Sequence, residues 1–495
     1  MFVRFSRQEY VRKTVAILLC IGLLCFFRYL ASSPEESTTY RLQDHNTADK
    51  QSLAKVDSSI LKRVDIQQFF EFRRYCMKPR KQKGLRRQGL VTISRELPIA
   101  ASTDLLEASM IAEGLPPCTI EIDVDVPNFH TTATEDTRIL LLGIATRLSR
   151  LEDSLIEMQR WLSHTGTRLV VLIVDVSDLE NEKEMIADLY AKAAKLTIDM
   201  VLNSYLDTGD SEGLKNFGLA GPLREEARKL QEVKWVGVID DDTFFVSLSQ
   251  MVAKLNTFDH RLPLYIGQLS EGFTRISNEG FKAWGGGGIF LSVPLLDELA
   301  DHSEECKSLD VGFGDILWRD CIYHVTSPTV KLSLLEGLNQ MDFWGDPSGW
   351  YEAGHDPIFT VHHWKSWHFH PIPAAHLVAD VAGPDSFLQR YSFAEVSSVL
   401  TNGYSLVHYP AGIPDLGLTE ATMSEDVGVE RSPSWKEFHF SMGRTRPVMR
   451  VGTEKQSWLF CHALTDSDGS VRQFYLRKNI DGKGTNSLIE IDWIA

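Results

Sequence analysis

An α/β fold, with helices on both faces of a parallel sheet, follows from two features of the chain. Short uninterrupted apolar runs alternate with stretches whose leucines recur at helical spacing between Thr137 and Ile239. The chain has 495 residues, 43% hydrophobic and 24% charged, which is enough for two or three structural units and excludes a wholly disordered or collagen-like polymer. A third feature divides it. Residues 1–90 carry 18 Lys+Arg against 8 Asp+Glu, whereas the whole chain has a net charge of −16. A basic arm therefore precedes an acidic body, and that body has no general affinity for nucleic acid.

Within the arm, Thr14–Ala31 is apolar apart from Thr14, Gly22 and Arg28, and it is long enough to span a bilayer as a helix. Arg4, Arg7, Arg12 and Lys13 precede it, so residues 1–13 are expected to be a cytoplasmic tail and 14–31 a signal anchor, with the remainder lumenal. A cleaved signal peptide ending near Ala31 is the alternative. Residues 32–130 are expected to be a stem, because residues 32–60 are too polar to fold alone. The basic cluster Lys78–Arg87 is expected to be a solvated part of it. Five cysteines lie beyond the anchor, so an oxidising lumen allows two bridges, and Cys306–Cys321 is the first expected pair. No Asn-x-Ser/Thr triplet occurs.

The body, residues 131–375, reads element by element. Ile139–Ile144 is a buried strand, and Leu148, Leu151, Leu155, Met158 and Leu162 mark the helix after it. Leu169–Val174 is the second strand, followed by a helix with Ile186, Leu189, Tyr190 and Ala193 inside. Thr197–Asn203, a helix over Glu212–Gln231 and the strand Trp235–Ile239 complete the series. Ligands of such sheets bind at the carboxyl ends of the strands. Neither a dinucleotide fingerprint nor a P-loop is present.

Asp240, Asp241 and Asp242 follow the fourth strand directly. One carboxylate would cap the helix starting near Ser247. Three in a row repel one another unless a hard cation sits among them, and such a cation can neutralise a departing diphosphate. An aspartyl-phosphate motif fits poorly, because Thr243 comes one place early.

The segment Lys234–Phe245 resembles the strand and Asp-x-Asp motif of Fringe-like, family 31 glycosyltransferases. Phe281–Ser292 is similar to that family's glycine-rich segment, and Gly314-Asp315 and His362-His363-Trp364 continue its motif order. The resemblance implies a GT-A-type, Rossmann-like nucleotide-sugar-binding sheet and a type II Golgi membrane protein. It implies a metal site of Asp240, Asp242 and His363, with Asp242 the direct ligand and His362 the alternative, holding Mn²⁺ or Mg²⁺. Asp315 is the implied general base, with Asp310 and Asp320 left open because glycine precedes Asp315. Thr146, Arg150, Asp240 and Asp241 are expected near the nucleotide. Trp284, Gly285, Gly286 and Gly287 are expected around the sugar and acceptor.

Past Ala375 the resemblance fades, and Gln473–Lys478, Ser487–Ile494 and the Asp481-Gly482 turn suggest a β-rich region over 376–495. The expected activity is metal-dependent, inverting transfer of a hexose or N-acetylhexosamine from a UDP-sugar to a glycan, glycoprotein or glycolipid acceptor, forming a β linkage, β-1,3 for preference. Expected partners are those substrates and the membrane, with homo-oligomerisation left open. A non-catalytic glycan-binding scaffold and a metal-dependent hydrolase are the alternatives.

Overall fold

A computed structural model describes residues 69–94, 97, 105–107, 118–128, 135–176, 179–207, 209–423, 442–478 and 486–495. The expected tail and anchor, the first part of the stem and the Asp481-Gly482 turn lie outside the described residues. Among the described residues no helix is long and apolar enough to cross a membrane.

The body is built on a seven-stranded sheet in the order Leu332–Leu334, Tyr265–Gly267, Ile289–Ser292, Trp235–Val238, Leu140–Thr146, Arg168–Ile173, Asp199–Ser204. The strands from Trp235–Val238 to Asp199–Ser204 run parallel, as their continuous apolar sequences require. The expectation of a purely parallel sheet is corrected at Ile289–Ser292, which runs antiparallel to both neighbours. The remainder is the α/β sheet expected, parallel through its four strands from Trp235–Val238 to Asp199–Ser204.

Helices cover the sheet as their leucine spacing requires. Leu148–Leu162 buries Leu148, Leu151, Leu155, Met158 and Leu162 on one face. Ala220–Lys229, Val293–Asp301 and Gly314–Val325 pack on the other, around Leu141, Val170, Val236 and Val238. The single helix expected over Glu212–Gln231 is two, Glu212–Phe217 and Ala220–Lys229. The break lies at Gly218, where a Cβ would come within 2.6 Å of the Tyr205 ring. The expected Cys306–Cys321 bridge is present, together with Cys76–Cys118, and Cys461 is free.

A ten-stranded sheet forms the β-rich region, with Gln456–Thr465, Val471–Arg477 and Asn486–Trp493 at its centre. It also takes in Phe69–Gln82, parallel to Asn486–Trp493 on one side and to Ile120–Pro127 on the other. These two strands fall within the expected stem of residues 32–130, so from Phe69 onward that expectation gives way. The physical reason is alternation: Ile122, Val124 and Val126 are buried while Glu121, Asp123 and Asp125 face outward. Those acids meet the basic cluster, with Lys78 Nζ 2.5 Å from Glu121 and Arg80 Nε 3.1 Å from Asp125. Lys78 and Arg80 are thus cross-strand partners, and Arg87 donates to the carbonyls of Asp385 and Phe387.

Candidate active site

The acidic triplet emerges where Trp235–Val238 ends, and its three carboxylates separate. Asp241 is turned back toward the first strand: Thr146 Oγ1 donates to its Oδ2 at 2.5 Å and Arg150 Nη2 to its Oδ1 at 2.5 Å. Thr146 and Arg150 therefore brace the triplet, and the Arg150 side chain is still half exposed. Asp240 and Asp242 face the other way, toward His362. His362 Nε2 lies 3.3 Å from Asp240 Oδ2 and 2.9 Å from Asp242 Oδ1.

The imidazole of His362 is fixed in that pose. Its Nδ1–H donates to the Gln340 carbonyl at 3.1 Å, which leaves Nε2 directed at the two carboxylates. Its ring lies against Gly286, where a Cβ would be 2.2 Å from it, so residue 286 has room only for glycine. Burial by itself would lower the His362 pKa, but the two aspartates raise it well above the usual histidine value. Burial would likewise raise Asp242, yet His362, Lys365 and His363 hold it well below the carboxylate range. Two carboxylates and an imidazole nitrogen are a donor set suited to a divalent cation.

Ligand atoms of Asp242, His362 and His363 all lie within 4.8 Å of one another. His363, favoured over His362 from the sequence, has both ring nitrogens facing protein groups, Asp342 Oδ1 at 3.1 Å and Ser366 Oγ at 3.2 Å. Geometry therefore moves the preference to His362, with the His363 ring 3.8 Å away and tilted by 40°.

The four glycines form the turn into the reversed strand. Thr243 Oγ1 donates to the Gly286 carbonyl, Thr360 Oγ1 to that of Gly287, and the Gly287 N–H donates to Gln340 Oε1. Gly286 and Gly287 thus pack the aspartate turn against the histidine strand. Gly285 is the one that fronts Asp240, its Cβ position 3.6 Å from Asp240 Oδ1. Trp284 is buried, and its indole Nε1 has no hydrogen-bond partner.

Asp315 stands in the first turn of Gly314–Val325. Lys282, fully buried, ion-pairs with it and with Glu279 at 3.1 Å, and its Nζ lies 3.4 Å from the Trp284 ring centroid. Burial raises the Asp315 pKa while Lys282 opposes the rise, and Asp240 is near enough to add to it. The alternatives to Asp315 are engaged elsewhere. Asp310 accepts from Ser211 Oγ and the Gly312 N–H, and Asp320 pairs with Arg319.

Sequence reasoning missed Lys282, Gln340, Asp342 and Glu271. Lys282 adjoins the glycine motif, and a lysine next to an expected acid–base site was a usable signal. The others arrive from distant segments and had none. Asp342 accepts from Ser270 Oγ at 3.1 Å and from His363. Glu271 accepts from the Met341 N–H at 2.7 Å, its Oε1 has no partner, and burial beside Asp342 pushes its pKa up to about 8.

Residues 190–323 match a family model described as Fringe-like, and residues 277–378 match one described as protein of unknown function DUF604. The first spans the triplet, the glycine turn and Asp315; the second adds the histidines. No curated protein matches the chain. Among solved structures, mouse xyloside xylosyltransferase 1 shares 12% identity at a TM-score of 0.25, covering 40% of this chain and 84% of its own. The galactosyltransferase LgtC shares 9% at a TM-score of 0.29, covering 47% and 88%. A cytidylyltransferase from Leptospira borgpetersenii shares 13% at 0.25, covering 40% and 75%. Likenesses this remote carry no functional weight, whereas the family matches fall on the residues that build the site. The two matched stretches run from residue 190 to residue 378, and over its first part this portion of the chain is similar to the Fringe-like family.

Proposed function

We propose that this protein is a glycosyltransferase that uses a UDP-sugar and a divalent cation, Mn²⁺ or Mg²⁺, to transfer a hexose or N-acetylhexosamine with inversion to a glycan hydroxyl, forming a β linkage, β-1,3 for preference. The observation that carries the reading is the His362 imidazole, locked by Gln340 and aimed between Asp240 and Asp242. Bound by these three side chains, the cation would neutralise the charge that develops on the leaving diphosphate.

Asp315 supplies the other half of the chemistry. Its carboxylate takes the proton of the acceptor hydroxyl as that oxygen bonds to the anomeric carbon, and the bond to the diphosphate breaks with its electron pair. Lys282 keeps the carboxylate ionised, while burial makes it more basic than a surface aspartate. Arg150 and Thr146, holding Asp241, fix the triplet at the nucleotide end of the sheet. The body would be lumenal, a placement that the two disulfides support because they form in oxidising compartments, and the proposal keeps the N-terminal Golgi anchor read from the sequence.

UDP release by the purified protein, measured over a panel of UDP-sugars with Mn²⁺, with and without acceptor glycans, tests the proposal. Release that depends on both acceptor and metal is expected. Acceptor-independent release would make the protein a hydrolase. Glycan retention without turnover would make it a scaffold.

A further inference from the structure

We propose that Asp342 is a positioning residue that keeps one oxygen of Asp242 open to the cation; this rests on the cation site proposed above. The observation is a line of three contacts that ends on that oxygen. Asp342 Oδ1 lies 3.1 Å from His363 Nε2, His363 Nδ1 lies 3.2 Å from Ser366 Oγ, and Ser366 Oγ lies 3.4 Å from Asp242 Oδ2. The other oxygen of Asp242, Oδ1, faces His362 Nε2 at 2.9 Å. Ser366 has a single hydroxyl proton, so it donates either to His363 or to Asp242.

Asp342 decides between them. An ionised carboxylate only accepts, so it fixes the His363 N–H at Nε2. Beside a bound divalent cation the imidazole is neutral and has one N–H, which leaves Nδ1 as an acceptor. The Ser366 proton then turns to Nδ1, the nearer of its two acceptors, and Asp242 Oδ2 keeps its lone pairs for the cation. With the N–H at Nδ1 instead, His363 would donate to Ser366 and direct the hydroxyl proton onto Oδ2. The carboxylate is held for this task. Asp342 is buried, Ser270 Oγ donates to its Oδ2 at 3.1 Å, and Gln340 Nε2 donates to its Oδ1 at 3.3 Å. Glu271 Oε2 accepts the Met341 and Asp342 N–H groups at 2.7 and 3.3 Å, across a turn where Met341 has a φ of 60°. That turn presents nearby residues to adjacent histidines, the Gln340 carbonyl to His362 and the Asp342 carboxylate to His363.

Asp342→Leu, with Asp342→Asn as the conservative control, tests this in the purified protein titrated with Mn²⁺ alone, the free ion being read by electron paramagnetic resonance. The leucine variant should bind Mn²⁺ about 10-fold more weakly. Asparagine keeps an acceptor for the His363 N–H without the charge, and it should stay within about 3-fold of the wild type. Ser366→Ala added to Asp342→Leu should recover most of the lost affinity, because the competing proton is gone. An asparagine loss as large as the leucine loss, or no recovery on adding Ser366→Ala, overturns the positioning role. Where Asp342→Leu does not fold, nitrogen-15 NMR of the wild-type histidines decides: a His363 proton on Nε2 supports the role and one on Nδ1 overturns it. A wild type that binds no Mn²⁺ overturns the cation site and this role with it, whereas equal binding by wild type and Asp342→Leu overturns the role alone.

Discussion

In the ten-stranded sheet and the elements packed on it, Glu420 meets both Arg446 at 2.8 Å and Lys455 at 3.0 Å, and Asp492 meets Arg74 at 2.7 Å. At the end of Trp235–Val238, by contrast, Asp240 and Asp242 share one imidazole, and Asp342 and Glu271 stand close behind it. Both regions bury acids. The first supplies each with a cation from the chain itself, while the second leaves acid in excess. Charge balanced internally holds a fold together, whereas charge left in excess is where the proposed cation would be held.

The largest test of that contrast is Asp242→Asn, which keeps the shape and removes one charge. Transfer should fall by about 10³-fold while the thermal midpoint drops by no more than a few degrees, because His362 and Lys365 favour the lost charge but the imidazole keeps Asp240. The mirror experiment is Lys455→Met. It strands Glu352, leaves Glu420 with Arg446 alone, and should cost about 3–5 kcal/mol in denaturant titration, with Mn²⁺ uptake per folded molecule unaltered. If both variants lose stability alike, the contrast between the regions disappears.

A subtler outcome concerns Glu271. Its folded pKa of about 8 lies above the ordinary 4.5, so between those values the native state holds a proton that the unfolded state has released. Stability should therefore be full below pH 4.5 and decline as pH rises to about 8, by at most about 1.4 kcal/mol per unit from this group. Glu271→Gln should flatten that slope in melts recorded from pH 5 to 8. The smallest effect is expected at Arg80, paired with Asp123 and Asp125 but half exposed. Arg80→Ala should change stability by less than about 1 kcal/mol, and a larger loss would mean that exposed pairs in this sheet act like the buried ones.

The parts of the molecule written in local sequence were legible. Runs such as Leu140–Thr146 and Arg168–Ile173 announce buried strands, and the triplet of aspartates announces its own repulsion. Phe69–Gln82 was missed because its burial comes from partners distant in sequence, although the strict alternation of Ile120–Pro127 beside it carried a period-2 signal. In the site, His362 and His363 could not be told apart by spacing. What separates them is the Gln340 carbonyl on one ring and the Asp342 carboxylate on the other, and packing alone brings both there. Glu271 and Asp342 were invisible for the same reason.

The parallel pairing of Phe69–Gln82 with Asn486–Trp493 also bears on biosynthesis. Cys76 and Asp492, which face each other in that register, are 416 residues apart. At roughly 5–20 residues per second a ribosome needs about 20–80 s to cover that distance. Throughout that interval one flank of the early strand has its neighbour Ile120–Pro127, and the Cys76–Cys118 bridge can form. Its other flank waits for a segment made some 416 residues later, so a chain that stops short of residue 486 would leave that edge open to pairing with other nascent chains.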